Sequence, residues 1–116
     1  IDAIPFPAAG REQETLDRFE AVSRDRRAAA LIVEPLVLGA GGMLMYPASV
    51  LAELKRIAER TETLFIADEV MTGWGRTGSI FACEQAAIAP DILCTSKGLT
   101  GGSLPLAATL ATDAIF

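Results

Sequence analysis

Apolar residues along this chain follow two rhythms. From Arg11 to about Arg26 most positions are charged or polar, with Leu16, Phe19 and Val22 three residues apart. That spacing predicts a surface helix with a narrow apolar stripe, its charges forming a solvated face. The same rhythm returns at Val50, Leu51, Leu54, Ile57 and Ala58 and continues through Arg60. Pro47 stands before it, and its fixed φ suits the first turn of a helix. The second rhythm is one of short unbroken apolar runs. Ala28 to Val33 is closed by Glu34-Pro35, Leu64 to Ala67 ends in Asp68-Glu69, and Asp91 to Ser96 leads into Lys97. Runs of this length, apolar on both faces, predict strands in a sheet covered on both sides.

Spacing between the runs sets their directions. Thirty residues separate Val33 from Leu64 and include a full helical pattern, so these two strands should be parallel across a βαβ crossover. A last strand is expected from Leu104 to Ala111. Only Gly98 to Ser103 separates it from Lys97, too little for a crossover, so it should run antiparallel to its neighbour. Residues 1–10 hold two prolines and a glycine and read as an extended entry segment, and Leu38 to Met43 as a glycine-rich loop. A short helix is predicted over Phe81 to Ala87, with Pro90 ending it. The fold class that follows is α/β, a mostly parallel sheet with one antiparallel strand.

Composition narrows the function. The 116 residues suffice for one domain, and with 51% hydrophobic residues they can build a core. A formal charge of −5 offers no basic footprint for nucleic acid or an anionic membrane, and no apolar run approaches the roughly 20 residues that cross a bilayer. No secretory signal opens the chain. Cys83 and Cys94 lack metal-ligand spacing and read as buried thiols of a cytoplasmic protein. With no histidine, Ser-His-Asp and Cys-His catalysis are excluded, along with most zinc sites. The chain opens at Ile1 and stops where another helix would begin, so an internal piece of a longer protein is expected.

Three of the apolar runs end in ionisable residues, Glu34, Asp68 and Lys97. On parallel strands all three reach the carboxyl edge of the sheet, where open α/β folds bind ligands. A lysine held near a core loses hydration, which makes its amine a usable nucleophile toward carbonyls. An aspartate facing the same cavity can keep a pyridine nitrogen protonated, so the pair suits a flat, aldehyde-bearing ring. Spacing alone leaves other readings open. Lys97 fits a solvated loop residue, and Asp68-Glu69 a helix cap or a magnesium-binding pair. The tract Thr72-Gly73-Trp74-Gly75-Arg76-Thr77-Gly78 lacks the spacing and ending of a phosphate loop. Trp74 and Arg76 fit substrate contact or packing beneath a turn, and Met43 and Met45 fit apolar filling.

Taken together, Phe65-Ile66-Ala67-Asp68-Glu69-Val70-Met71-Thr72-Gly73-Trp74-Gly75-Arg76-Thr77-Gly78, Pro90-Asp91-Ile92 and Ser96-Lys97-Gly98 resemble the signature of class III pyridoxal-phosphate aminotransferases. The resemblance runs from Ala28 to Phe116. It implies a fold-type-I enzyme in which residues 1–116 are the central part of the large cofactor domain, working as a homodimer with shared active sites. It also implies that Lys97 holds pyridoxal 5′-phosphate and shuttles the proton in transamination. Asp68 then partners the pyridinium, Val70 packs on the ring face, and Glu34 pairs with a substrate-gating arginine outside this chain. The phosphate cup and the carboxylate-binding arginine likewise lie outside it, so these residues alone should be inactive.

Phe81-Ala82-Cys83-Glu84 and Leu93 to Gly102 are most similar to a biotin-biosynthetic branch of the class, which moves an amino group from S-adenosylmethionine to 8-amino-7-oxononanoate. Met71 departs from the pattern, since many members of the class carry glutamine there and this branch usually a small residue. Two other readings stay open: a class III enzyme acting on an ω-amino acid or a diamine, and a non-catalytic α/β domain. Retention of both Asp68 and Lys97 speaks against the last.

Overall fold

The computed structural model describes every residue except Arg27. Helix α1 spans Glu12–Arg26 and α2 spans Ala48–Arg60. The described residues form six strands: β1 (Ala30–Val33), β2 (Val37–Leu38), β3 (Leu44–Met45), β4 (Leu64–Asp68), β5 (Ile92–Thr95) and β6 (Ala108–Ala111). The main sheet has the order β1-β4-β5-β6, with β1-β4 and β4-β5 parallel and β5-β6 antiparallel. The expected topology is therefore present. Its register sets Val33 beside Ala67 and Asp68 beside Cys94, so β4 ends one residue past β1 and β5 one residue past β4, nearly level.

Helix α2 forms because its apolar positions fall on one face. Val50, Leu51, Leu54, Ile57 and Ala58 are all buried, and burial of a leucine such as Leu51 stabilises the fold by about 2 kcal/mol. Pro47 is the N-cap rather than the first helical residue, with extended backbone. The C-terminal end stops at Thr61, whose N–H and hydroxyl both reach back to the Ile57 and Ala58 carbonyls. The helix packs on β4, and α1 packs on the helix through Phe19 and Val22, with Leu16 half-buried. Arg60 of α2 reaches Glu20 of α1 at 3.2 Å. Phe65, Leu31 and Ala67 enter this core from the sheet.

Among the described residues, helices cover one face of the sheet. Alternate residues point the other way, and there Ile32 is 61% and Leu64 38% exposed, with Leu110 also open. Both helices lie on one side, because the crossover from β1 to β4 places α2 there and α1 packs on α2. Other boundaries shift for local reasons. β1 begins at Ala30, not Ala28. Gly39 to Met43 is a loop as expected, and the two-residue strands β2 and β3 on either side of it pair antiparallel as a small hairpin. The short helix over Ala82–Ala86 is a 3-10 helix. β6 covers only Ala108–Ala111; before it, the exposed chain carries Pro105, which has no N–H to give to a ladder.

Candidate active site

Glu34 follows β1, Asp68 ends β4, and Lys97 stands two residues beyond β5. The nearly level strand ends bring all three to one cavity of about 350 Å³, completed by Gly39, Ala40, Val70 and Met71. A second, apolar cavity of about 340 Å³ lies beside it and shares Glu34 and Asp68 as part of its wall. The four positions singled out in the sequence, Glu34, Asp68, Val70 and Lys97, thus surround one space.

Asp68 is half-buried, and its Oδ1 accepts the N–H of Val70 at 3.1 Å. This bond fixes the carboxylate at the strand end and holds Val70 against it. Its Oδ2 accepts no hydrogen bond among the described residues, which leaves one oxygen for a ligand. Glu34 is anchored twice. Its Oε2 accepts the N–H of Gly39 at 2.8 Å, and its carbonyl accepts the hydroxyl of Tyr46 at 2.8 Å. Burial pushes the Tyr46 phenol far above its ordinary value, so that hydroxyl stays a donor. Lys97 opens a 3-10 turn over Lys97–Leu99 and is exposed. The turn carries Lys97 past the end of the ladder, and within this chain, which spans about a quarter of its relatives' length, its side chain is open.

Glu69 is where the sequence left a choice between cap, metal ligand and neighbour. It is fully buried. Its Oε2 accepts the hydroxyl of Thr72 at 2.5 Å and the N–H of Ala82 at 3.0 Å, and its Oε1 accepts the N–H of Cys83 at 2.8 Å. Ala82 and Cys83 begin the 3-10 helix, so Glu69 caps a helix that starts thirteen residues later. Both oxygens are occupied, and they serve the loop rather than the cavity. The carboxylate, after burial, helps hold the Cys83 thiol far above its usual range.

Two contacts at the site escaped the sequence reading. Gly39 is held against Met71, whose Sδ occupies the place a Cβ on Gly39 would need. Trp74 donates its Nε1–H to the hydroxyl of Thr95 at 2.6 Å, spanning 21 residues. Neither contact is local, and no periodic pattern announces either one.

The profile of the family described as aminotransferase class-III matches residues 4–116. The chain belongs to the class III aminotransferases. Among relatives within this family, the adenosylmethionine-8-amino-7-oxononanoate aminotransferase of Synechococcus elongatus is 46% identical over all of this chain. The same-named protein of Geobacter sulfurreducens is 47% identical over 89% of it. The chain spans 29% and 23% of those two proteins. Among solved structures, an amine transaminase from an uncultivated Pseudomonas species in its PLP-bound form matches with a TM-score of 0.85 at 40% identity. It covers 92% of this chain and 24% of that one. The ornithine aminotransferase of Plasmodium yoelii matches with a TM-score of 0.81 at 36% identity, over 86% of this chain and 26% of that one. The fold shared with these two structures over most of this chain is the mixed α/β one described above, a mostly parallel sheet with one antiparallel pair.

Proposed function

We propose that residues 1–116 form the central part of the large domain of a pyridoxal-phosphate-dependent class III aminotransferase. The whole protein, in this reading, is a cytoplasmic homodimer that transfers an amino group from S-adenosylmethionine to 8-amino-7-oxononanoate, giving 7,8-diaminononanoate for biotin. The observation that carries it is the gathering of Glu34, Asp68, Val70 and Lys97 around one cavity of about 350 Å³. Similarity to proteins named for that biotin-pathway reaction supports the choice of substrates, from 42% to 54% identity.

The residues fit the cofactor. A carboxylate with one uncommitted oxygen and an exposed primary amine line the same space, matching a ring that bears a basic nitrogen and an aldehyde. When bound, pyridoxal phosphate supplies an electron sink. Asp68 would hold a proton on the ring nitrogen through its carboxylate. Lys97 would bind the aldehyde through Nζ and, when displaced by an amino substrate, carry a proton at Nζ to and from the reacting carbon. Val70, half-buried on the cavity wall, would rest on the ring face. Glu34, already oriented by Gly39, would receive a gating arginine from elsewhere in the protein.

A second reading, amino transfer from an ω-amino acid or a diamine, draws on the similarity to ornithine and amine transaminases at 36% and 40% identity. The deciding experiment offers S-adenosylmethionine, ornithine and alanine as separate donors to the full-length protein. Turnover with S-adenosylmethionine alone is expected; preference for ornithine or alanine would replace the first reading with the second. A near-ultraviolet or visible absorbance band from the lysine-bound cofactor should be present in the wild type and absent in Lys97→Ala. No band in the wild type would sink both readings.

A further inference from the structure

Lys97 sits where the sheet no longer holds the chain. The pairing of β4 with β5 ends at Asp68 and Cys94, and β5 itself ends at Thr95. At Ser96 the backbone leaves the strand, with φ −155° and ψ −98°. On the β6 side, the Ser96 hydroxyl donates to the Leu106 carbonyl at 2.9 Å. The other side of the turn meets the loop that follows Asp68.

That contact is made by Trp74. Its indole N–H donates to Thr95 Oγ1 at 2.6 Å, and Thr95 is buried. Its Cβ would lie 2.5 Å and its ring atom Cδ1 2.8 Å from a Cβ on Gly98, so the Trp74 side chain packs directly on the residue after Lys97. Trp74 therefore holds the chain on both sides of Lys97. It is itself braced from behind, by the Phe81 ring at 5.5 Å and 60°. The loop carrying it is cross-linked by hydrogen bonds. Arg76 Nε donates to the Met71 carbonyl at 2.6 Å, Gly73 N–H to the Glu69 carbonyl at 3.0 Å, and Gly75 N–H to the Ile80 carbonyl at 3.1 Å. Glu69 then fastens the far end of the loop through Ala82 and Cys83.

We propose that Trp74 is a positioning residue for Lys97. Through Thr95 and Gly98, it fixes where the amine stands relative to the Asp68 carboxylate. The inference rests on the functional reading above and deepens it: the spacing of the two groups is set by this side chain as well as by the sheet. Trp74 touches neither cofactor nor substrate in this account.

The test uses the full-length protein. Trp74→Phe removes the N–H and keeps a ring against Phe81; Thr95→Val removes the acceptor and keeps the volume. Each should lower kcat by about 10- to 100-fold, with KM held within about twofold, as expected for a misplaced reacting group. The double variant should be no worse than the poorer single one, since both remove the same bond. Two readouts would not move if Trp74 were only packing. One is the rate at which cofactor-free protein captures pyridoxal phosphate on Lys97. The other is the pH at which the lysine-bound cofactor changes colour. Both should shift in both variants. A lowered melting temperature with unchanged kcat, capture rate and colour transition would overturn the proposal. A wild type that loads normally while the variants match it overturns this inference alone; a wild type that captures no cofactor overturns the functional reading and this inference with it.

Discussion

The Cys83 amide donates to the Glu69 carboxylate at 2.8 Å, fourteen residues away and without a solvent-exposed atom on the carboxylate side. A buried carboxylate is stable only when its oxygens are hydrogen-bonded, and here three donors do that work. Replacing Glu69 with Gln turns an acceptor into an NH₂ group that faces donors. Glu69→Gln should therefore destabilise the protein by about 2–3 kcal/mol. Chemical unfolding of the two forms side by side measures this; a difference within error would show that the carboxylate is not the clasp of the loop.

Alkaline pH should weaken the fold through two neutral groups. Burial pushes the Tyr46 phenol up, and burial followed by the neighbouring Glu69 charge pushes the Cys83 thiol up. In the unfolded chain they lose their protons near their ordinary values, about 10 and about 8.5. The folded state keeps those protons, so it binds more of them than the unfolded state does once the pH passes these values. Their contribution is complete below about pH 8.5 and is lost as pH rises, at about 1.4 kcal/mol per pH unit for each group. Unfolding curves from pH 8 to 11, compared with those of Tyr46→Phe and Cys83→Ala, should show one proton's slope removed by each substitution. Parallel curves for all three proteins would contradict the assignment.

Gly39 gives way to Met71. An alanine there would overlap Met71 Sδ and stand 3.1 Å from Glu34 Oε2. Methionine is flexible, so Gly39→Ala should swing its thioether into the cavity rather than unfold the loop. Cofactor affinity is then expected to fall about tenfold, equivalent to 1.4 kcal/mol of overpacking. Adding Met71→Ala should restore it. Equilibrium titration of the cofactor-free single and double variants decides the point, and a double variant as weak as the single would reject the steric explanation.

Asp68→Asn keeps the shape of the side chain and its bond to Val70, but an amide cannot balance a protonated ring nitrogen. Cofactor should still bind, while kcat falls by about 10²- to 10⁴-fold. Turnover close to wild type would remove Asp68 from the proton economy of the site.

Much of this arrangement was legible in the residues themselves. The apolar runs ending in Glu34, Asp68 and Lys97 place three strands side by side, and the long crossover and short return give their directions. The five apolar positions of α2 mark its buried face without ambiguity. What could not be read has a common cause. Two-residue strands such as Val37–Leu38 and Leu44–Met45 are too short to show a period. The bonds of Glu69 to Cys83 and of Trp74 to Thr95 join residues far apart in sequence, and leave no repeating trace. An unbroken apolar run also reads the same whether one face is covered or two; Ile32 and Leu64 are open in this chain although Leu31 and Phe65 are buried.

The parallel pairing of β4 with its two neighbours bears on when the site comes into being. Ala30 meets Leu64 and Ile66 meets Ile92, contacts 34 and 26 residues apart along the chain. Such distant pairings form late in folding, after local helices and turns, because a long loop must close before any contact rewards it. Asp68 ends the strand in the middle and Lys97 follows the strand beside it, so a chain leaving the ribosome holds both residues before it holds them together. Cofactor capture then reports completed folding, and a protein arrested before β5 docks has every residue of the pair but no site.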